Sequence, residues 1–123
     1  MLTALIDYES GNLHSALKAF EKISSENSLG SVTITNDPEI ISNADRLVLP
    51  GDGAFPACKA ALEKSEVFEA LKHAVLAKRR PFLGICVGMQ LMAKKGFEFE
   101  PTNGLNWING QVERIQLDDP SLK

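Results

Sequence analysis

The chain has 123 residues, 44% hydrophobic and 24% charged, with a formal net charge of −3, proportions that suit one globular domain spanning 1–123 and exclude a tail or linker. The acidic balance leaves no electrostatic footprint for nucleic acid, and Lys78-Arg79-Arg80, the one basic cluster, reads as a solvated helix end. No apolar run reaches the ~20 residues of a membrane span, and the N-terminus lacks the basic region and cleavage site of a secretory signal, so the cytoplasm is expected.

Strands and helices alternate along the chain. Leu2 to Ile6 is an apolar strand, and Asn12 to Ile23 places Leu13, Leu17, Phe20 and Ile23 at helical spacing. Val32 to Thr35 alternates β-branched residues. Asp37 then caps a short helix with Pro38 at its first position. Arg46 to Leu49 is a third strand, ended by Pro50-Gly51. Phe55 to Glu63 and Val67 to Lys78 carry helical periodicity; Phe82 to Ile85 is a fourth strand leading into a helix from Val87 to Lys95. Further on, Leu105 to Ile108 and Gln111 to Ile115 are candidate strands joined at Asn109-Gly110, a hairpin signal. Apolar strands separated by helices predict an α/β fold, an open and mostly parallel sheet with helices on both faces.

Such sheets bind ligands beyond the carboxyl ends of their strands. Three loops fall there: Asp7 to Asn12, Pro50 to Phe55, and the stretch carrying Cys86. Gly84 and Gly88 flank Cys86 two residues to either side, the spacing of a nucleophile elbow with sulfur in place of oxygen. A helix N-terminus facing the sulfur favours thiolate over thiol, which makes Cys86 a candidate nucleophile. Cys58, among Ala57, Ala60 and Ala61, reads as a packed small hydrophobe. The two cysteines lack histidines at ligand spacing, so neither zinc nor a disulfide is expected, and no cofactor is implied. His73 receives no role. His14, just beyond the first strand, is a weak alternative base. The Asp7 to Asn12 loop has two readings, a site or partner rim formed by Tyr8, Ser10, Gly11 and Asn12, or a turn in which Ser10 or Asn12 caps the first helix.

Leu49-Pro50-Gly51-x-Gly53-x-Phe55, Pro81-Phe82-Leu83-Gly84-Ile85-Cys86-x-Gly88-Met89-Gln90 and Gly104-Leu105-x-Trp107-Ile108-x-Gly110-x-Val112 resemble the class I, triad-type glutamine amidotransferases. The opening Ile6-Asp7-Tyr8-x-Ser10-Gly11-Asn12-Leu13-x-Ser15 is similar to the branch whose glutaminase subunits feed ammonia to the cyclase subunit of imidazole glycerol phosphate synthase in histidine biosynthesis. The resemblance implies hydrolysis of L-glutamine through a Cys86 thioester. It implies oxyanion donors from Val87 and the Gly51-Asp52-Gly53 loop, substrate contacts from Gln90 and Glu98, and a cyclase partner in a heterodimer.

Two departures stand out. The family's His-Pro-Glu-type motif has no match in these residues, so the chain is expected to be incomplete at its C-terminus, inactive alone and prone to self-association through uncovered edges. Asp52 occupies a loop position where the family usually has an apolar residue, and a carboxylate there would oppose thiolate formation. The alternatives are a non-catalytic partner-binding or regulatory module, or the glutaminase of another class I amidotransferase.

Overall fold

In the computed structural model, residues 1–119 and 121 are described. Four parallel strands, β1 (Leu2–Ile6), β2 (Ser31–Thr35), β3 (Arg46–Leu49) and β4 (Phe82–Gly84), form one sheet in the order β2-β1-β3-β4. The centre of that sheet is the most apolar run. Ala4, Leu5 and Ile6 of β1 are fully buried because both faces of a central parallel strand lie under other elements. Ala4 and Ile6 share a face with Leu47 and Leu49, and that face packs against Ile41, Phe55, Cys58, Leu62 and Leu71. Leu5 and Val48 point the opposite way. There Phe20, Ile23 and Ser24 of α1 (Leu13–Asn27) border an apolar hollow of about 300 Å³ over β3 and β4, in which Leu83 remains half exposed.

Local signals explain the helix boundaries. Asn12 accepts the Ser15 N–H at 3.4 Å to start α1, and Asp37 accepts the Glu39 N–H at 2.9 Å to start α2 (Pro38–Asn43), with Pro38 in the first turn. α1 runs one turn past Ile23 and closes at Ser28 in the left-handed region, where the buried Ser24 hydroxyl donates to the Gly30 carbonyl at 2.6 Å. Polar Ser24 to Asn27 carry no apolar period to mark that turn. α3 (Phe55–Lys64) follows the second rim loop, and α4 (Phe68–Lys72) widens into a π-helical turn at His73–Ala77, closed by Lys78 N–H to His73 O at 3.0 Å. The basic run that follows is exposed, as expected of a solvated helix end.

Beyond Cys86 the fold departs from the expected pattern. The helix expected over Val87 to Lys95 is limited to α5 (Val87–Gln90), and Ala93–Gly96 is strand β5. The reason is tertiary: the Leu91, Met92, Ala93 and Lys94 carbonyls accept N–H groups of Leu105, Trp107, Ile108, Asn106 and Gly104, so they cannot serve a continuing helix. The expected hairpin at Asn109-Gly110 is also absent. Both residues lie inside one strand, β7 (Ile108–Val112), which pairs parallel to β5, while β6 (Thr102–Asn103) pairs antiparallel on its other side. An Asn-Gly hairpin turn needs positive φ at both positions. Here the positive φ belongs to Asn106, at 59°. Phe82 and Trp107 meet edge to face, centroids 5.3 Å apart, joining this sheet to β4.

Gly88 and Tyr8 carry the contacts between neighbouring loops. A Cβ on Gly88 would overlap the Leu49 carbonyl, whereas one on Gly110 would meet nothing within 4 Å. Gly88→Ala should therefore cost about 3 kcal/mol in urea unfolding while Gly110→Ala stays within about 0.5 kcal/mol. Tyr8, 2% exposed, donates its hydroxyl to the Pro50 carbonyl at 2.6 Å. Burial pushes its phenol up from 10.0 to about 12, the Ser10 hydroxyl opposing and Cys58 adding to the shift. Below pH 10 both folded and unfolded chains keep the proton; between 10 and 12 only the unfolded chain ionises, so stability falls as pH rises through that window. Tyr8 is the only tyrosine, so phenolate absorbance of the folded chain should titrate near 12, and Tyr8→Phe should lose this part of the alkaline destabilisation. A midpoint near the ordinary value of about 10 would contradict the assignment.

Candidate active site

Strands β1, β3 and β4 are neighbours, so the loops leaving their carboxyl ends converge. Asn12, Ser15, Ala16, Pro50, Gly51, Asp52, Ile85 and Cys86 line one hollow of about 550 Å³. Cys86 is exposed there and has φ 56° and ψ −120°, a conformation that side-chain-bearing residues rarely adopt and that costs about 1–3 kcal/mol. The surrounding structure holds it in place. Ile85 N–H donates to Leu49 O at 2.9 Å before the turn, and Gln90 N–H donates to Cys86 O at 3.1 Å after it.

Glycines make the turn sterically possible. A Cβ on Gly84 would lie 2.6 Å from the Met89 Cα, and one on Gly51 would lie 2.9 Å from both the Tyr8 hydroxyl and the Val87 Cβ. The strand arm and helix arm of the elbow, and the β3 loop beside them, thus approach to backbone contact. The helix arm α5 has four residues, so the field at Cys86 is that of one turn rather than of the long helix expected.

Donors for a developing negative charge are present. Among the described residues, the Val87, Gly51 and Gly53 N–H groups have no acceptor, while the Asp52 N–H is engaged by Ser10 Oγ at 2.9 Å. Gly53 sits at φ 103° with open space around it. Of the loop residues expected to stabilise an oxyanion, Gly51 and Gly53 therefore retain a donor and Asp52 does not.

The other expected site residues divide. Asn12 both caps α1 and lines the Cys86 hollow; Gly11, at φ 97°, packs against Pro50 and the Gly51 nitrogen. Tyr8 is not an exposed rim residue, because its ring is buried beneath the loops. Gln90 and Glu98 come together with Phe97, Phe99, Val112, Glu113 and Arg114 around an adjacent hollow of about 440 Å³, not around Cys86. Glu98 Oε2 accepts the Phe55 N–H at 3.0 Å, capping the start of α3. His14 is exposed and does not line the Cys86 hollow. Sequence reading missed a second role for Cys58, which is in the core as expected but also lies 3.2 Å from Ser10 Oγ and donates to Asp52 O at 3.3 Å.

Residues 4–101 match the family described as glutamine amidotransferase class-I, a span that runs from β1 past Glu98. Among curated relatives, the imidazole glycerol phosphate synthase subunit HisH of Ruegeria pomeroyi is 57% identical over 124 residues, covering 100% of this chain and 58% of its own length. The proteins of the same description from Cereibacter sphaeroides and Caulobacter vibrioides are 55% and 49% identical, covering 100% and 97% of this chain and 58% and 56% of their own lengths. The chain thus spans less than two thirds of the relatives it matches, and over that span it belongs to the class-I glutamine amidotransferase family.

Proposed function

We propose that these residues form the nucleophile half of a glutaminase site that supplies ammonia to the cyclase subunit of imidazole glycerol phosphate synthase, in a cytoplasmic heterodimer. The observation that carries this reading is Cys86, held at φ 56° on a strand-to-helix turn beside an unengaged Val87 N–H. Cys86 sulfur attacks the side-chain amide carbon of glutamine, and the carbonyl π electrons move to oxygen, where Val87 N–H and a loop N–H from Gly51 or Gly53 meet the charge. Collapse breaks the C–N bond once the nitrogen has gained a proton, leaving a γ-glutamyl thioester and ammonia. Water then attacks the thioester and releases glutamate and the thiol.

Among the described residues no histidine lines the Cys86 hollow to pass a proton to the leaving nitrogen; Asn12, Ser15 and Asp52 are the polar residues beside Cys86. In this reading the family's His and Glu supply that proton. General acid–base transfer contributes about 10²–10⁴-fold. The high identity to synthase subunits supports the cyclase as the ammonia acceptor over other class I partners.

A γ-chloromethyl ketone analogue of glutamine should alkylate Cys86 well ahead of Cys58, because Cys86 is exposed and Cys58 is buried, and its preference over iodoacetamide should vanish in Gly51→Ala. Equal preference for the two reagents in the parent chain would remove the glutamine-specific part of the proposal. Steady-state ammonia release from glutamine by the 123-residue chain should be indistinguishable from that of Cys86→Ala; measurable turnover dependent on Cys86 would show that a proton donor is already present.

A further inference from the structure

Ser10 Oγ accepts the Asp52 N–H at 2.9 Å, its hydroxyl lies 3.0 Å from the Asp52 carbonyl and 3.2 Å from Cys58 Sγ, and Cys58 Sγ donates to the same carbonyl at 3.3 Å. The Ser10 hydroxyl has two acceptors within reach, the Asp52 carbonyl and Cys58 sulfur, and with the sulfur as its acceptor the protons close into a ring. The Asp52 N–H donates to Ser10 oxygen, the Ser10 hydroxyl donates to Cys58 sulfur, and the Cys58 thiol donates to Asp52 oxygen, so the circuit begins and ends on one residue. Beside it the Tyr8 hydroxyl holds the Pro50 carbonyl at 2.6 Å. A loop that needs two glycines, one at φ 103°, has little steric definition of its own. Its conformation is set by what grips it.

We propose that Cys58 is a positioning residue for the Pro50 to Gly53 loop, acting through this ring with Ser10 to fix the backbone of Asp52, which lines the Cys86 hollow. The proposal rests on the glutaminase reading for its consequence at Cys86 but not for its geometry. Cys58 itself is firmly anchored, being 3% exposed and one turn into α3, whose first N–H is fixed by Glu98. Its thiol proton is the only contribution from α3 to the ring. Thiol donors are weak singly, and a closed circuit in which each group both gives and accepts strengthens them.

The test pairs Cys58→Ala with Cys58→Ser. Both lose similar packing volume, and only serine keeps a donor. In the 123-residue chain, hydrogen exchange at the Asp52 amide, followed by NMR, should accelerate about five- to tenfold in Cys58→Ala, the equivalent of one net hydrogen bond, and return to within about twofold of the parent in Cys58→Ser. Ser10→Ala, which removes the acceptor from the partly exposed side, should accelerate the same amide at least as much. Exchange unchanged in Cys58→Ala, or equally fast in alanine and serine variants, overturns the ring. The consequence is read separately: alkylation of Cys86 by the glutamine chloroketone should slow about threefold in Cys58→Ala and recover in Cys58→Ser, with iodoacetamide alkylation unchanged, as expected when donors lose preorganisation. Chloroketone rates equal in all three proteins overturn the positioning role; loss of analogue preference in the parent itself points instead to failure of the glutaminase reading, while the exchange data still decide the ring.

Discussion

Everything at this site depends on how closely two backbones can approach. Gly88, on the helix arm of the elbow, lies against the Leu49 and Pro50 carbonyls, and Gly51, on the facing loop, lies against the Gly88 nitrogen. That contact lets the turn at Cys86 close tightly, and the closure forces the cysteine into a backbone conformation it would otherwise avoid. Strain at Cys86 is offset by the order of the parallel sheet below. The Leu49 carbonyl accepts the Ile85 N–H, tying β3 and β4 together one residue before the turn. Exposure of the sulfur and an unengaged N–H on the next residue follow from the same geometry.

The sheet positions the loops and side chains refine them. Placing β1 between β2 and β3 brings the Tyr8 to Asn12 loop against the Pro50 to Gly53 loop. Three side chains then grip the second loop: Tyr8 at Pro50, and Ser10 and Cys58 at Asp52. Buried polar groups must find partners, and here the partners are the backbone of the loop that lines the Cys86 hollow. The carboxylate of Asp52 sits on a residue whose backbone is engaged at both ends.

Much of this was legible in the residues. Short apolar runs ending in Asp7, Pro50 and Cys86 marked the strands and their carboxyl ends, and the flanking glycines marked the elbow, because these signals are local. Past Gln90 the local pattern misleads for a physical reason. Leu91 to Lys95 keeps a helical pattern in isolation, but its carbonyls are taken by residues 104–108, a contact that no local period encodes. Asn109-Gly110 likewise reads as a turn until Asn106 takes the positive φ and the strand runs through. Tyr8 and Cys58 depart from expectation in opposite directions, one expected on the rim and found buried, the other expected to pack only and found hydrogen-bonded across 48 residues to Ser10.

The proposed function joins an exposed Cys86 to the N–H groups of Val87, Gly51 and Gly53 and assigns protonation of the leaving nitrogen to residues other than those that line the Cys86 hollow. An activated γ-aryl ester of glutamate separates these parts, because its phenolate leaves without a proton whereas the amide of glutamine does not. Intact-mass analysis after a short incubation should find a γ-glutamyl adduct on Cys86 from the ester, none on Cys58, and none from glutamine. Adducts from both substrates would mean that the proton donor is present after all, and no adduct from either would mean that the elbow is not a working nucleophile.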